Sequence, residues 1–487
     1  AINASTINTG AAVLVNVNSG SATVAQANSI DAQTTGVVTA TITETAISTL
    51  GGLNGTGNAY AITVSDSSVN AADLNTLDGK TTVAVNAGAV GTLTGTAAAI
   101  DTAINAATID TAATVAATVN SGSATVAQAN SIDAQTTGVV TASLSDTALS
   151  ILGGLTGSGN AYTITVADSS ATAAALNTLD GKTTVAINAN AVNSISGTAA
   201  EVTTAFNSAG ISNLNVGNDA VTISDTTLSG SDPATLNTGE GTDTLTSTSS
   251  ADQSLNVSTA NAGTLGSISF SNLENVTLGS GADTATIAAN AGTINMGGGL
   301  DTVTLASTTA VATINAGSDA DTLNAQTGSI NSTLNITSAN GGTLDAASFS
   351  NFETINMDDG VDTATIAANT GTLNMGAGND SITLNTGAAG TINADAGNDI
   401  ATIAGTAAGS LNMGAGTDTV TLTSTTSTTT IDAGTEADTL NAQTGSINST
   451  LNITGANADT LDAASFSNFE TINMDDGVDT ATIASNT

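Results

Sequence analysis

The sequence predicts a mainly β fold, an elongated solenoid, from three observations: long internal repeats, thin aliphatic periodicity, and a composition without the bulky residues of a globular core. The chain has 487 residues, enough for several ordinary cores or for one continued stack. Aromatic residues make up only 2% and proline occurs once, at Pro233, so large side chains to fill a compact centre are missing. Disorder does not fit either, because 40% of the chain is apolar and these residues recur at fixed spacing.

Self-similarity divides the chain in two. NSGSATVAQANSIDAQTTGVVTA begins at Asn18 and again at Asn120, and LNTLDGKTTVA at Leu74 and Leu176, both offset by 102 residues. ADTLNAQTGSINSTLNIT begins at Ala320 and Ala437, and FSNFETINMDDGVDTATIA at Phe349 and Phe466, both offset by 117. The opening and closing segments each fall inside a repeat, so the sequence is expected to be a piece of a longer protein.

Residues 1–215 read as an α/β solenoid with short helices, about four strand-helix coils to each repeat. Period-two apolar patterns mark strands at Val38 to Ile42, Tyr60 to Val64, Val83 to Val85 and Val115 to Val119. Ser68 and Thr96 are the expected caps of the helices that follow them.

Residues 216–487 read as an elongated right-handed parallel β-solenoid. An aspartate follows a glycine-rich corner at Asp243, Asp283, Asp301, Asp362, Asp380, Asp399 and Asp418, and again at Asp479. Asp321 and Asp438 sit in the looser contexts GSDAD and GTEAD, where Asp319 and Glu436 are candidate substitutes. Most steps between these residues are 18 to 20 residues, as in 301 − 283 = 18, which gives one coil per step. Where the gap doubles, as in 362 − 321 = 41, an additional coil without the aspartate is expected. After each corner comes a Thr-apolar-Thr-apolar strand, such as Thr302-Val303-Thr304-Leu305, whose alternation sends aliphatics inward and threonines outward. Asn295, Asn315, Asn374, Asn393 and Asn412 recur once per coil and are expected to bond to one another along the stack.

Charge and residue usage narrow the function. Forty-one acidic residues face two basic ones, Lys80 and Lys182, for a net charge of −39. Such a chain repels nucleic acid and anionic membrane surfaces and calls for counter-ions, divalent metal above all. Cysteine and histidine are absent, which removes disulfides, thiolate metal sites, the usual general base and the familiar nucleophile arrangements. With no arginine as well, a polysaccharide-cleaving β-helix has little chemistry to use, and no enzyme is expected. No apolar run reaches the length of a membrane span, so direct membrane insertion is not expected.

The stretch GAGNDSIT from Gly376 to Thr383 resembles the nonapeptide GGxGxDxUx of RTX β-rolls, the calcium-binding repeats of secreted bacterial proteins. The resemblance implies calcium held between successive coils by glycine-turn carbonyls and by the carboxylates of Asp243, Asp283, Asp301, Asp321, Asp362, Asp380, Asp399, Asp418, Asp438 and Asp479. Unlike an RTX roll, each coil here lacks an aspartate in its second half, so calcium is expected on one edge only. The 102-residue family, with LNTLDGKTT, ISGTAAEVTTAFNSAGI and GNDAVTISDTTL, resembles giant repetitive cell-surface proteins of marine cyanobacteria and S-layer or adhesin-like proteins. That likeness implies secretion without a cleaved N-terminal signal and assembly on the cell surface. The function expected is an extracellular structural repeat protein, forming a filament, sheath or S-layer from copies of itself and meeting cell-surface polysaccharide. The alternative is the stalk of a large secreted RTX adhesin.

Overall fold

The computed structural model describes residues 10–214, 216–225, 234–325, 332–442, 450–453, 459–461, 464–474 and 479–483. They form two compact units, one of residues 1–193 with 208–214, the other of residues 194–207 with 215–487. Long ladders of parallel strands dominate, so the chain is mainly β. No helix among the described residues is long and apolar enough to cross a membrane.

In the first unit short helices alternate with short parallel strands. One repeat holds the helices Val24–Asp31, Ile47–Leu50, Ala71–Asp78 and Ala97–Asn105. The strands Ser68–Asn70, Thr92–Gly95, Ala116–Val119 and Val140–Ser143 stack in parallel, and Val69 pairs Leu93, which pairs Ala117. Leu74, Leu77, Leu93 and Ile100 are fully buried behind them, and Leu176 and Leu179 repeat the pattern 102 residues on. Thr96 caps its helix as expected, through a bond from the Ala99 N–H. Ser68 does not: it opens a strand, and the cap is Asn70, whose Oδ1 accepts the Ala72 N–H at 2.9 Å. The extended Val69 is fully buried, so packing holds Ser68 in the ladder and moves the helix start two residues on.

Several helices borrow their caps from the next coil. Helix Leu149–Leu152 follows Ala148, which has no side-chain oxygen to offer, and the Leu149 N–H donates instead to Asp168 Oδ2 at 2.7 Å. Asp66 serves Ile47 in the same way, whereas Asp146 accepts the Val126 N–H in addition to that helix's own cap, Thr125. Asp168→Ala is expected to lower the stability of this unit by about 1 kcal/mol, the usual worth of a lost cap, read from its melting transition. An unchanged transition would mean the cross-coil bond does not form in solution.

In the second unit the chain crosses back and forth between two sheets. Nine successive parallel strands of one sheet, called the second sheet, bring Ala285, Val303, Leu323, Ile355, Leu373, Ile392, Leu411, Ile431 and Phe466 into one inward-facing column. In the first sheet Ala364, Ile382, Ala401, Val420 and Leu440 form the matching column. Both columns are buried, which fixes the register, because a slip of one residue would turn every aliphatic outward.

The doubled gaps are not filled by a further coil. Between Asp321 and Asp362 the chain lays one strand in the second sheet, then three antiparallel strands, Thr333–Ser338, Gly341–Leu344 and Ala347–Ser350, in the first. It then crosses once more, to Thr354–Asn356 in the second sheet, before reaching Asp362. Asn340 (φ 51°) and Asp345 (φ 51°) make the two reversals, in the left-handed conformation that asparagine and aspartate tolerate best. Ser254–Thr259, Ala262–Leu265 and Ile268–Ser271 repeat this excursion in the second sheet. Phe349 and Phe352 pack edge to face at the reversal, with ring centroids 6.0 Å apart.

Each excursion therefore moves the following aspartate to the opposite corner of the coil. The identical segments at Ala320 and Ala437 consequently lie in different sheets, Thr322–Asn324 in the second and Thr439–Ala442 in the first. One step of the 117-residue sequence period thus exchanges the two sheets.

Candidate functional site

The corner aspartates point inward. Asp243, Asp283, Asp301, Asp321, Asp362, Asp380, Asp399, Asp418 and Asp438 are each 1% exposed or less. Their side chains are joined rung to rung by a single recurring bond, in which the backbone N–H of one rung donates to the carboxylate of the next. Asp283 N–H donates to Asp301 Oδ1 and Asp301 N–H to Asp321 Oδ1, both at 2.8 Å. The longest run passes from Asp362 through Asp380, Asp399 and Asp418 to Asp438 over 2.7 to 2.8 Å steps.

Every run ends on a glutamate that the spacing of aspartates did not reveal. Glu274 Oε2 accepts from the Asp243 N–H at 2.9 Å, Glu353 Oε2 from Asp321 at 3.0 Å, and Glu470 Oε2 from Asp438 at 2.8 Å. Glu274 and Glu353 are held in turn by Asn261 and Asn340 of the reversals, through Oε1 at 2.8 and 3.0 Å. The signal was present in the sequence as Phe-Ser-Asn-(Leu/Phe)-Glu, repeated at each doubled gap. Asp219, also missed, opens the first run by donating its N–H to Asp243 Oδ1 at 2.7 Å.

Asp283, Asp301 and Asp321 precede strands of the second sheet, whereas Asp362 through Asp438 precede strands of the first. The ladders thus use both corners in alternating runs, not the single edge expected. Asp479 stands before Thr480–Ile483 in the second sheet, half-buried and beyond the run that closes at Glu470. Asp319 and Glu436 do not replace Asp321 and Asp438, because positive φ angles of 92° and 84° turn them to the exposed rim. From there they accept the N–H groups of Gly299 at 3.1 Å and Gly416 at 2.9 Å.

No family model, curated protein or solved structure matches the chain.

The electrostatics of the ladders are unusual. In Asp283, Asp301, Asp321, Asp362, Asp380, Asp399, Asp418 and Asp438 the second oxygen, Oδ2, is buried and has no partner among the described residues. A buried charge without a partner is costly, so the protonated form gains. Burial pushes Asp380 up to about 7, and Asp283, Asp321, Asp362, Asp399 and Asp418 up to about 6. The donated backbone N–H opposes the rise and neighbouring carboxylates add to it. Lys80 and Lys182 both belong to the first unit, so the second has no basic side chain to neutralise the ladders.

The glycine corners of adjacent rungs approach closely. A Cβ on Gly416 would overlap the carbonyl oxygen of Gly397, and one on Gly378 that of Gly360. Orphaned carboxylate oxygens and the carbonyls of the glycine corners are of the hard donor type that calcium takes. Among the described residues no three acidic side chains converge on one point, so carboxylates alone make no cage and carbonyls would have to complete it.

The asparagine column behaves partly as expected. Asn374 donates to Asn356, Asn393 to Asn374 and Asn412 to Asn393, at 2.7 to 2.8 Å, and Asn356 donates to Asn324 at 2.9 Å. Asn295 instead donates to Thr277, and Asn315 accepts from Asn351.

Proposed function

We propose that this chain is an extracellular structural repeat protein, an α/β solenoid followed by a right-handed RTX-like β-solenoid, assembled from copies of itself at a cell surface. In this reading calcium neutralises the ladders. Asp283, Asp301 and Asp321 on one corner, and Asp362, Asp380, Asp399, Asp418 and Asp438 on the other, would hold it through Oδ2 with neighbouring glycine carbonyls. Calcium bound there supplies the positive charge that the second unit lacks, and couples folding to an ion abundant outside the cell. The observation that carries this reading is the row of buried, unpartnered carboxylate oxygens. Its repetition, rung after rung, is what a structural seam requires and what a catalytic site does not. A partner of polysaccharide type is also proposed, on the cell-surface resemblance alone.

The test is thermal melting followed by circular dichroism, with calcium and then with EGTA. The melting temperature of the second unit should rise by roughly 4 to 6 degrees with calcium, the size expected of about 2 to 3 kcal/mol of linked binding in a domain this large. Identical curves in both buffers would remove calcium from the assignment.

A further inference from the structure

The second sheet, like the first, carries a long outward surface that is almost free of charge despite the polyanionic chain. Its nine uninterrupted parallel strands bring Thr284, Thr302, Thr322, Thr354, Thr372, Thr391, Ser410, Thr430 and Ser465 into one column of hydroxyls. Beside it Thr286, Thr304, Asn324, Asn356, Asn374, Asn393, Asn412, Asp432 and Ser467 form a second column. Asp432, near one end, is the single charge in the two columns. The other acids nearby lie at the corners, buried in the ladders or on the exposed rim as Asp319, Asp359, Asp395 and Glu436 do.

The geometry points to this face as the surface through which a second copy of the chain docks. Three physical reasons favour a second copy. In a chain of net charge −39, most approaches bring carboxylates together, whereas two of these faces can meet with almost none between them. The groups are also self-complementary: hydroxyls and primary amides both donate and accept, as a two-fold interface between identical patches requires. The rung-to-rung bonds fix each amide from Asn356 to Asn412 while using one of its two N–H donors, so oriented donors remain at strand spacing. β-Branched threonine adds a side chain with few rotamers, which lowers the ordering cost of contact.

The face is roughly 40 Å long, eight strand spacings, and about one short strand wide. That is small beside the ~800 Å² a stable partner usually contributes, so the pairing expected is weak and concentration-dependent. The inference rests on the self-assembly part of the proposed function and is independent of calcium.

The test is sedimentation velocity of the full chain over a concentration series, at moderate salt to screen net repulsion, with and without calcium. The parent should show a mass that grows with concentration. Thr372→Glu with Ser410→Glu, two rungs apart so that the new charges are not cross-strand neighbours, should weaken association about tenfold or more. Ala377→Glu with Ala415→Glu, placed at exposed corner positions with the same separation, should leave it unchanged. Should the face variant fail to fold by circular dichroism, Asn393→Asp replaces it, introducing one charge at constant size. A parent that stays monomeric up to its solubility limit would overturn the inference, including one that instead binds polysaccharide or ice through the same columns. Equal effects of face and corner charges would overturn it too. Association that persists in EGTA, alongside a calcium-insensitive melt, would separate this inference from the calcium assignment.

Discussion

Gly416→Val should destabilise the second unit by about 3 to 5 kcal/mol, at the upper end of what one substitution does. Two effects add at this position. Gly416 has φ 140°, a conformation costly for a β-branched residue, and its Cα lies against the Gly397 carbonyl, where an added Cβ has no room. The backbone of one rung would have to separate from the next, and with it the Asp399 to Asp418 bond. Ala415→Val, one residue away and exposed, should change stability by no more than about 0.5 kcal/mol. Urea unfolding read by circular dichroism compares the two. Similar small effects for both would show that the rungs are not stacked as closely as described.

The second large effect is on pH dependence. An aspartate titrates near 3.9 in an unfolded chain, but burial raises Asp380 to about 7 and five of its fellows to about 6. The folded state therefore holds more protons than the unfolded one across that interval, and stability must fall as pH rises. It is complete below about pH 4 and has been lost once pH has passed through the folded values, near 6 to 7. In EGTA, the melting temperature of the second unit should drop steadily between about pH 5 and pH 8. General repulsion among surface acids acts in the same direction, so the discriminating comparison is Asp380→Asn with Asp399→Asn. Those amides keep the Oδ1 acceptor for the Asp362 and Asp380 N–H groups but remove two of the raised carboxyls. The drop should become shallower. A pH slope unaffected by the pair would place the titrating groups elsewhere.

Much of the architecture could be read from periodicity alone. The alternation in Thr302-Val303-Thr304-Leu305 has one solution once a core exists, and the strands Val38–Thr41 and Ala116–Val119 fall almost where their patterns end. The hydrogen-bonding role of the aspartates was harder to see. Spacing shows that Asp380 recurs beside Asp399, but not whether a carboxylate turns out to solvent or back onto the neighbouring N–H. That depends on the corner's backbone, where Gly378 lets adjacent rungs approach closely.

The hairpins were missed for a different reason. Asn340-Gly341 between alternating segments is a reversal signal, but inside a strongly parallel context it was absorbed into the coil count. Glu353 followed from that miss, because its role as terminator exists only where a ladder stops. The exchange of Ser68 for Asn70 as a cap was decided by burial of Val69, a tertiary effect that local capping preference does not register.

The half-turn between successive modules has a mechanical side. Like charges lined up along a single flank would push that flank apart and bow the stack away from it whenever cations were scarce. With the run Asp283 to Asp321 on one flank and the runs Asp219 to Asp243 and Asp362 to Asp438 on the other, the strain changes sides from one run to the next. Ion depletion should therefore bend successive stretches of the second unit in opposite senses, where a single-flank ladder would curl it one way.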